Sequence, residues 1–186
     1  SPESASQYAM GRSDLREGAP NVVPAYLSIK NPFVRGESVP GDAAKAVVRE
    51  HLERLGKTNL GINEGYIRGK MENFSTGMDT LEEVIPPGVL TDALIADGFD
   101  GVKVGDQWVV FDPNQIKSTQ NLGAFDPSDP RILYARGDTQ TPEFKRWFAD
   151  SKMVDESGRP KAFFHGGYDV EGGTGAFRAS KRGSLG

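Results

Sequence analysis

"GDQWVVFDPNQIKS", Gly105 to Ser118, opens on a turn pair and passes at once into a β-branched, aromatic run. Trp108, Val109, Val110 and Phe111 suit a pleated, half-buried surface, and Asp112-Pro113-Asn114 ends it. Just upstream, "FDGVKV" has the same character, so Gly105-Asp106 reads as the two-residue turn of a hairpin. The anomaly is Gln107, a polar amide at the mouth of an apolar strand. With 23 glycines and 12 prolines, the chain favours short elements joined by turns over a helical bundle, and the mixture of strand and helix patterns makes it α+β.

Moving outward, "VVPAYLSIKNPF" reads as a strand closed by Asn31-Pro32. "DAAKAVVREHLERLG" predicts a helix with Asp42 as its cap, Val48, Leu52 and Leu55 on one face, and Gly56 as its stop. "SPESASQYA" reads as a helix start, with Ser1 capping, Pro2 in the first turn and Glu3 facing the positive end of the dipole. "GINEGYIRGKMENFSTG" is polar and glycine-broken, which predicts a long loop. "DTLEEVIPP" predicts a short helix capped by Asp79 and stopped at Pro86-Pro87, and "VLTDALIADG" another that ends at Gly98.

Downstream, "PNQIKSTQNLGAFDPSDPRILY" is rich in turn residues and predicts an ordered surface tail. "ARGDTQ" reads as a polar linker, so Arg136-Gly137-Asp138 needs no adhesive role. "TPEFKRWF" then begins Thr-Pro-Glu, an echo of "SPES". "KMVDESGRPKAFFHGG" predicts strand, turn at Ser157-Gly158, and strand, closing on His165-Gly166-Gly167. The glycine-rich remainder is not expected to fold alone.

Composition narrows the chemistry. A net charge of -4 leaves no overall basic footprint for nucleic acid. No apolar run reaches the length of a membrane span. With no cysteine there is neither a disulfide framework nor a thiolate metal site, and two distant histidines make no metal-ligand set, so no metal is expected. His51, inside a charged helix, reads as a partly exposed helix residue. His165 follows an apolar strand and precedes two glycines, which lets a ligand approach the backbone; it reads as a ligand contact or as a solvated loop histidine. There is no nucleophile elbow, and "GYIRGK" lacks the phosphate-loop spacing.

"WVVFDPNQIKS" together with "FDPSDPRILY" resembles the C-terminal half of an ADP-ribosyltransferase domain, of the type found in large phage polyvalent proteins. "VPAYLSIKNPF" resembles a core strand of that family, and "SPESASQYA" the helix after its second motif strand. "TPEFKRWFADSKMVDESGRPKAFFHGG" is similar to the lead-in that opens such a domain, with Gly167 where the family has a threonine or serine. The resemblance therefore implies three segments. Residues 1–135 are the back of one domain, 136–140 a linker, and 141–186 the front of a second. The first domain's own histidine and stacking tyrosine are expected ahead of Ser1.

The fold implied is a split mixed or antiparallel sheet with short flanking helices that cradles NAD, the substrate. The His-Tyr-Glu arrangement of the family puts His165 on a ribose of NAD and the Gly166 backbone on the nicotinamide amide. Tyr8 matches a tyrosine that lines the nicotinamide pocket, and Ala5 stands where relatives often place a serine. Gln107 falls on the catalytic glutamate. An amide still hydrogen-bonds a ribose hydroxyl but carries no charge to offset an oxocarbenium-like transition state. Asp106 is expected to face the other side of the sheet.

Three functions follow. The first is a fragment of an NAD-dependent ADP-ribosyltransferase, from a phage or mobile element, that modifies a protein or nucleic acid in the host cytoplasm. The second is a non-catalytic, degenerate transferase-fold binding module; Gln107, Ala5 and Gly167 favour it. The third is a nuclease toxin domain, against which stand the missing basic stripe and the lack of a usable histidine pair.

Overall fold

The computed structural model describes residues 2–10, 20–59, 61–75, 85–119 and 139–168. In chain order its elements are α1 (Pro2–Met10), β1 (Pro20–Leu27), β2 (Pro32–Val34), α2 (Asp42–Gly56), α3 (Glu64–Ser75), α4 (Pro87–Ala96), β3 (Gly101–Val104), β4 (Gln107–Val110), β5 (Ile116–Ser118), α5 (Pro142–Phe148) and β6 (Ala162–Tyr168). The described residues divide into two compact units. One holds 2–10, 20–30, 112–119 and 139–168; the other holds 31–59, 61–75 and 85–111.

In the first unit, the strands order β5-β1-β6, antiparallel throughout. β6 runs along β1 from Pro20↔Tyr168 to Tyr26↔Ala162. The segment beyond the expected linker thus shares a sheet with residues near the start of the chain. Its helix α5 is short but heavily buried. Phe144 is 1% exposed, and Trp147 and Phe148 are buried with it. Each such side chain contributes about 1.5–3 kcal/mol of apolar burial. Phe144 meets Tyr26 of β1 edge-on, with ring centroids 5.2 Å apart. Thr141 caps α5 by accepting from the Phe144 N–H.

Hydrogen bonds pin this segment to the end of β1. Ser28 Oγ donates to the Trp147 carbonyl at 2.9 Å, and Trp147 Nε1 donates to the Asn114 carbonyl at 2.9 Å. Ser151 Oγ donates to the Leu27 carbonyl and accepts from the Ile29 N–H. Gln115 Nε2 donates to the Ser28 carbonyl, while Gln115 Oε1 and Asp112 complete a capping box around the Pro113–Gln115 turn. The expected surface tail is therefore a short turn and a buried strand as far as Ser118. Lys117 is wholly buried, and Ser118 nearly so. Residues 120–134 of that tail lie outside the described residues.

In the second unit, the strands order β2-β3-β4. β2 is parallel to β3 and β3 antiparallel to β4, so this sheet is mixed. The hairpin stands as the sequence implies: Val104 pairs with Gln107 across Gly105-Asp106, and Gly105 has φ +55°. Phe33, Leu94, Val102 and Phe111 form one apolar cluster. A second joins Ala44, Val48 and Leu52 of α2 with Ile67, Met71 and Phe74 of α3, Ile85, and Ala93 of α4.

Four local expectations are corrected. The run "VVPAYLSIKNPF" is two strands in different sheets, since Ser28 and Ile29 bond elsewhere and Pro32 begins β2. The expected long loop is helix α3. Asn63 Oδ1 accepts from the Tyr66 N–H, and Ile67, Met71 and Phe74 recur every three to four residues to bury one stripe. Asp42 is not the cap of α2. The residue preceding the helix is Gly41, and the Asp97 carboxylate, just beyond α4, accepts from the N–H groups of Gly41 and Ala44. His51 is buried, 8% exposed, rather than partly exposed. The helix expected from Asp79, and the Ser1 cap, fall outside the described residues.

Candidate functional site

β6 is a strand because Phe163 and Phe164 suit a pleat and because β1 offers seven successive pairing positions. Its register sets His165 opposite Val23, and Gly166 opposite Val22. Alternation puts His165 on the same face as Phe163. Phe163 pairs with Ala25, and Ala25 with Ser118, so a row runs across all three strands with His165 beside it. Ala25 and Ser118 are both buried.

Helix α1 packs against both β1 and β6. It carries Ala5, which is 7% exposed, and Tyr8. Residues from opposite ends of the chain, Ala5 and the His165-Gly166 strand, are thus brought to adjoining elements of one unit. His165 keeps an exposed surface. Desolvation by the protein around its ring still lowers its pKa, which favours the neutral imidazole, a group that donates from one nitrogen and accepts at the other. Gly166 and Gly167 follow it in β6, paired with Val22 and Asn21 of β1.

Gln107 belongs to the other unit. It is the first residue of β4 and exposed. It shares a face with Val109, whose partner Val102 is buried in the cluster with Phe33 and Leu94, so Gln107 stands at the exposed rim of an apolar face. On the opposite face Lys103 lies over the Trp108 ring, 5.7 Å from its centroid. Asp106 is a turn residue, as the hairpin reading implies. Sequence reasoning did not single out Ser151, whose hydroxyl ties residues 27 and 29 together. Its only signal was a lone small polar residue between the apolar pair Trp147-Phe148 and Met153.

A family described as ADP-ribosyltransferase in polyvalent proteins matches residues 1–125. The chain belongs to that family. The α+β architecture, with two small sheets of which one is mixed, is compatible with a transferase fold of this type. The match includes Ala5, Tyr8 and Gln107; it ends before α5 and β6, and so before His165 and Gly166. No curated protein and no solved structure matches the chain. Among the described residues, no helix is long and apolar enough to cross a membrane.

Proposed function

We propose that the chain is part of an NAD-dependent ADP-ribosyltransferase, carried by a phage or mobile-element polyvalent protein, that modifies a protein or nucleic acid in the host cytoplasm. The observation that carries this is the packing of α1 on β6, which sets Ala5 of the matched family region beside the strand of His165 and Gly166. In this reading neutral His165 hydrogen-bonds a ribose of NAD, the Gly166 backbone takes the nicotinamide amide, and Tyr8 and Ala5 line the pocket. The bond from the ribose to nicotinamide breaks, nicotinamide leaves with the electron pair, and the acceptor's nucleophile closes on the ribose carbon. The family resemblance gives Gln107 the place of the catalytic glutamate, and an amide there adds no charge. By descent, residues 1–135 belong to one transferase domain, 136–140 to a linker, and 141–186 to the front of the next.

The exposed amide at Gln107 favours a second reading, a binding module that has lost its catalytic carboxylate. Nicotinamide release from NAD separates the two. The transferase reading expects slow release that His165→Ala abolishes. Release that is absent both from the chain and from its Gln107→Glu variant supports the binding module.

A further inference from the structure

We infer that residues 139–168 are a portable closing segment, and that the surface which receives them, β1 with α1 and residues 114–118, accepts the same segment from a second copy of this chain. The segment lies wholly outside the family match, which ends at residue 125, yet among the described residues it supplies one strand of the sheet β5-β1-β6. Its docking is defined by side chains and ladder bonds on both partners. Phe144 seats on Tyr26, Trp147 Nε1 reaches the Asn114 carbonyl, and Ser28 Oγ reaches the Trp147 carbonyl. Ser151 Oγ bridges residues 27 and 29, and the Lys152 N–H donates to the Ile29 carbonyl at 2.7 Å. β6 then adds a strand along β1. This is strand addition with a helical anchor: main-chain bonds hold the strand, and buried side chains of fixed spacing set specificity. The anchors are large, aromatic and buried, the kind of residue that carries most binding energy at interfaces.

A chain of successive domains would then be interlocked, the front segment of one closing the sheet of another, and a site containing His165 would be completed by whichever copy donates β6. The occupancy of the surface can be followed without any assumption about NAD.

The chain has no cysteine, so single labelling sites are clean. Full chains with a protease site inserted between Ala135 and Arg136 carry a donor dye at Glu156→Cys, or an acceptor dye at Met10→Cys, both exposed positions. The two are mixed and then cut. The inference expects the cut segment to co-elute with the body, and energy transfer between chains to rise to the level set by the mixing ratio. A synthetic peptide of residues 139–168 should suppress that transfer, and the same peptide with Trp147→Ala should be roughly tenfold or more weaker as a competitor. A cut segment that elutes alone overturns the inference. So does one that stays bound but never exchanges, or one displaced equally well by both peptides.

Discussion

Replacing Gln107 by Glu puts a carboxylate where the family places its catalytic glutamate, and the exposure of the site sets the size of the effect. Two unit charges about 4 Å apart interact by about 1 kcal/mol in bulk water and about 4 kcal/mol at an effective dielectric constant near 20. Gln107 lies exposed at the rim of β4, so solvent screens it until substrate covers it. The gain is therefore about 1–4 kcal/mol, which is about fivefold to about a thousandfold in rate, the upper part requiring that bound NAD exclude water. The same exposure keeps the substitution cheap for folding, within about 0.5 kcal/mol. Nicotinamide release from NAD is the assay, with thermal melting in parallel. Gln107→Glu should be faster than wild type, and Gln107→Ala no faster. Asp106→Asn, in the hairpin turn, should match wild type. Equal and measurable release from the wild type and from both Gln107 variants refutes the alignment of β4 on the glutamate strand.

Three further outcomes concern the fold. Asp97→Ala removes two charge-assisted bonds to the N–H groups at the start of α2 and should cost about 2 kcal/mol; chemical denaturation followed by circular dichroism checks it, and a loss no larger than that of Asp42→Ala would contradict the capping assignment. Gly56→Ala would place a methyl 2.6 Å from the Ile62 carbonyl oxygen and should lower the melting temperature, whereas Gly69→Ala, with open space around it, should not. Burial, and then the neighbouring Arg54, hold the His51 pKa below its ordinary 6.5, so the native chain binds fewer protons than the unfolded one just below that value. Its contribution to stability is complete above about pH 6.5 and is lost as pH falls towards the folded pKa. His51→Leu should give a shallower decline in denaturation midpoint across that window, and an unchanged slope would contradict it.

The sequence made legible what local chemistry controls. Val48 and Leu52 recur at helical spacing in α2, and Gly105-Asp106 has the composition of a hairpin turn; both elements stand where the pattern implies. Helix α3 was masked by Gly65, Gly69 and its charged residues, although Ile67, Met71 and Phe74 already trace a stripe. The cap of α2 comes from Asp97, more than fifty residues downstream, and no local pattern announces a partner at that separation. The run from Val22 to Phe33 looks continuous because its apolar residues do not show where the hydrogen bonds of Ser28 and Ile29 go. At the candidate site, the resemblance singled out Ala5, Tyr8, His165 and Gly166 one by one. That Ala5 and His165 sit on adjoining elements depends on the β1–β6 pairing, a contact between distant segments.

Titration of the chain with NAD, followed by backbone amide resonances, reads the proposed pocket residue by residue. The account predicts that millimolar NAD shifts Ala5 and Tyr8 in α1 together with His165 and Gly166 in β6, with one shared dissociation constant, and that His165→Ala weakens all four responses. Shifts confined to one of the two elements, or none at any of the four residues, would contradict it.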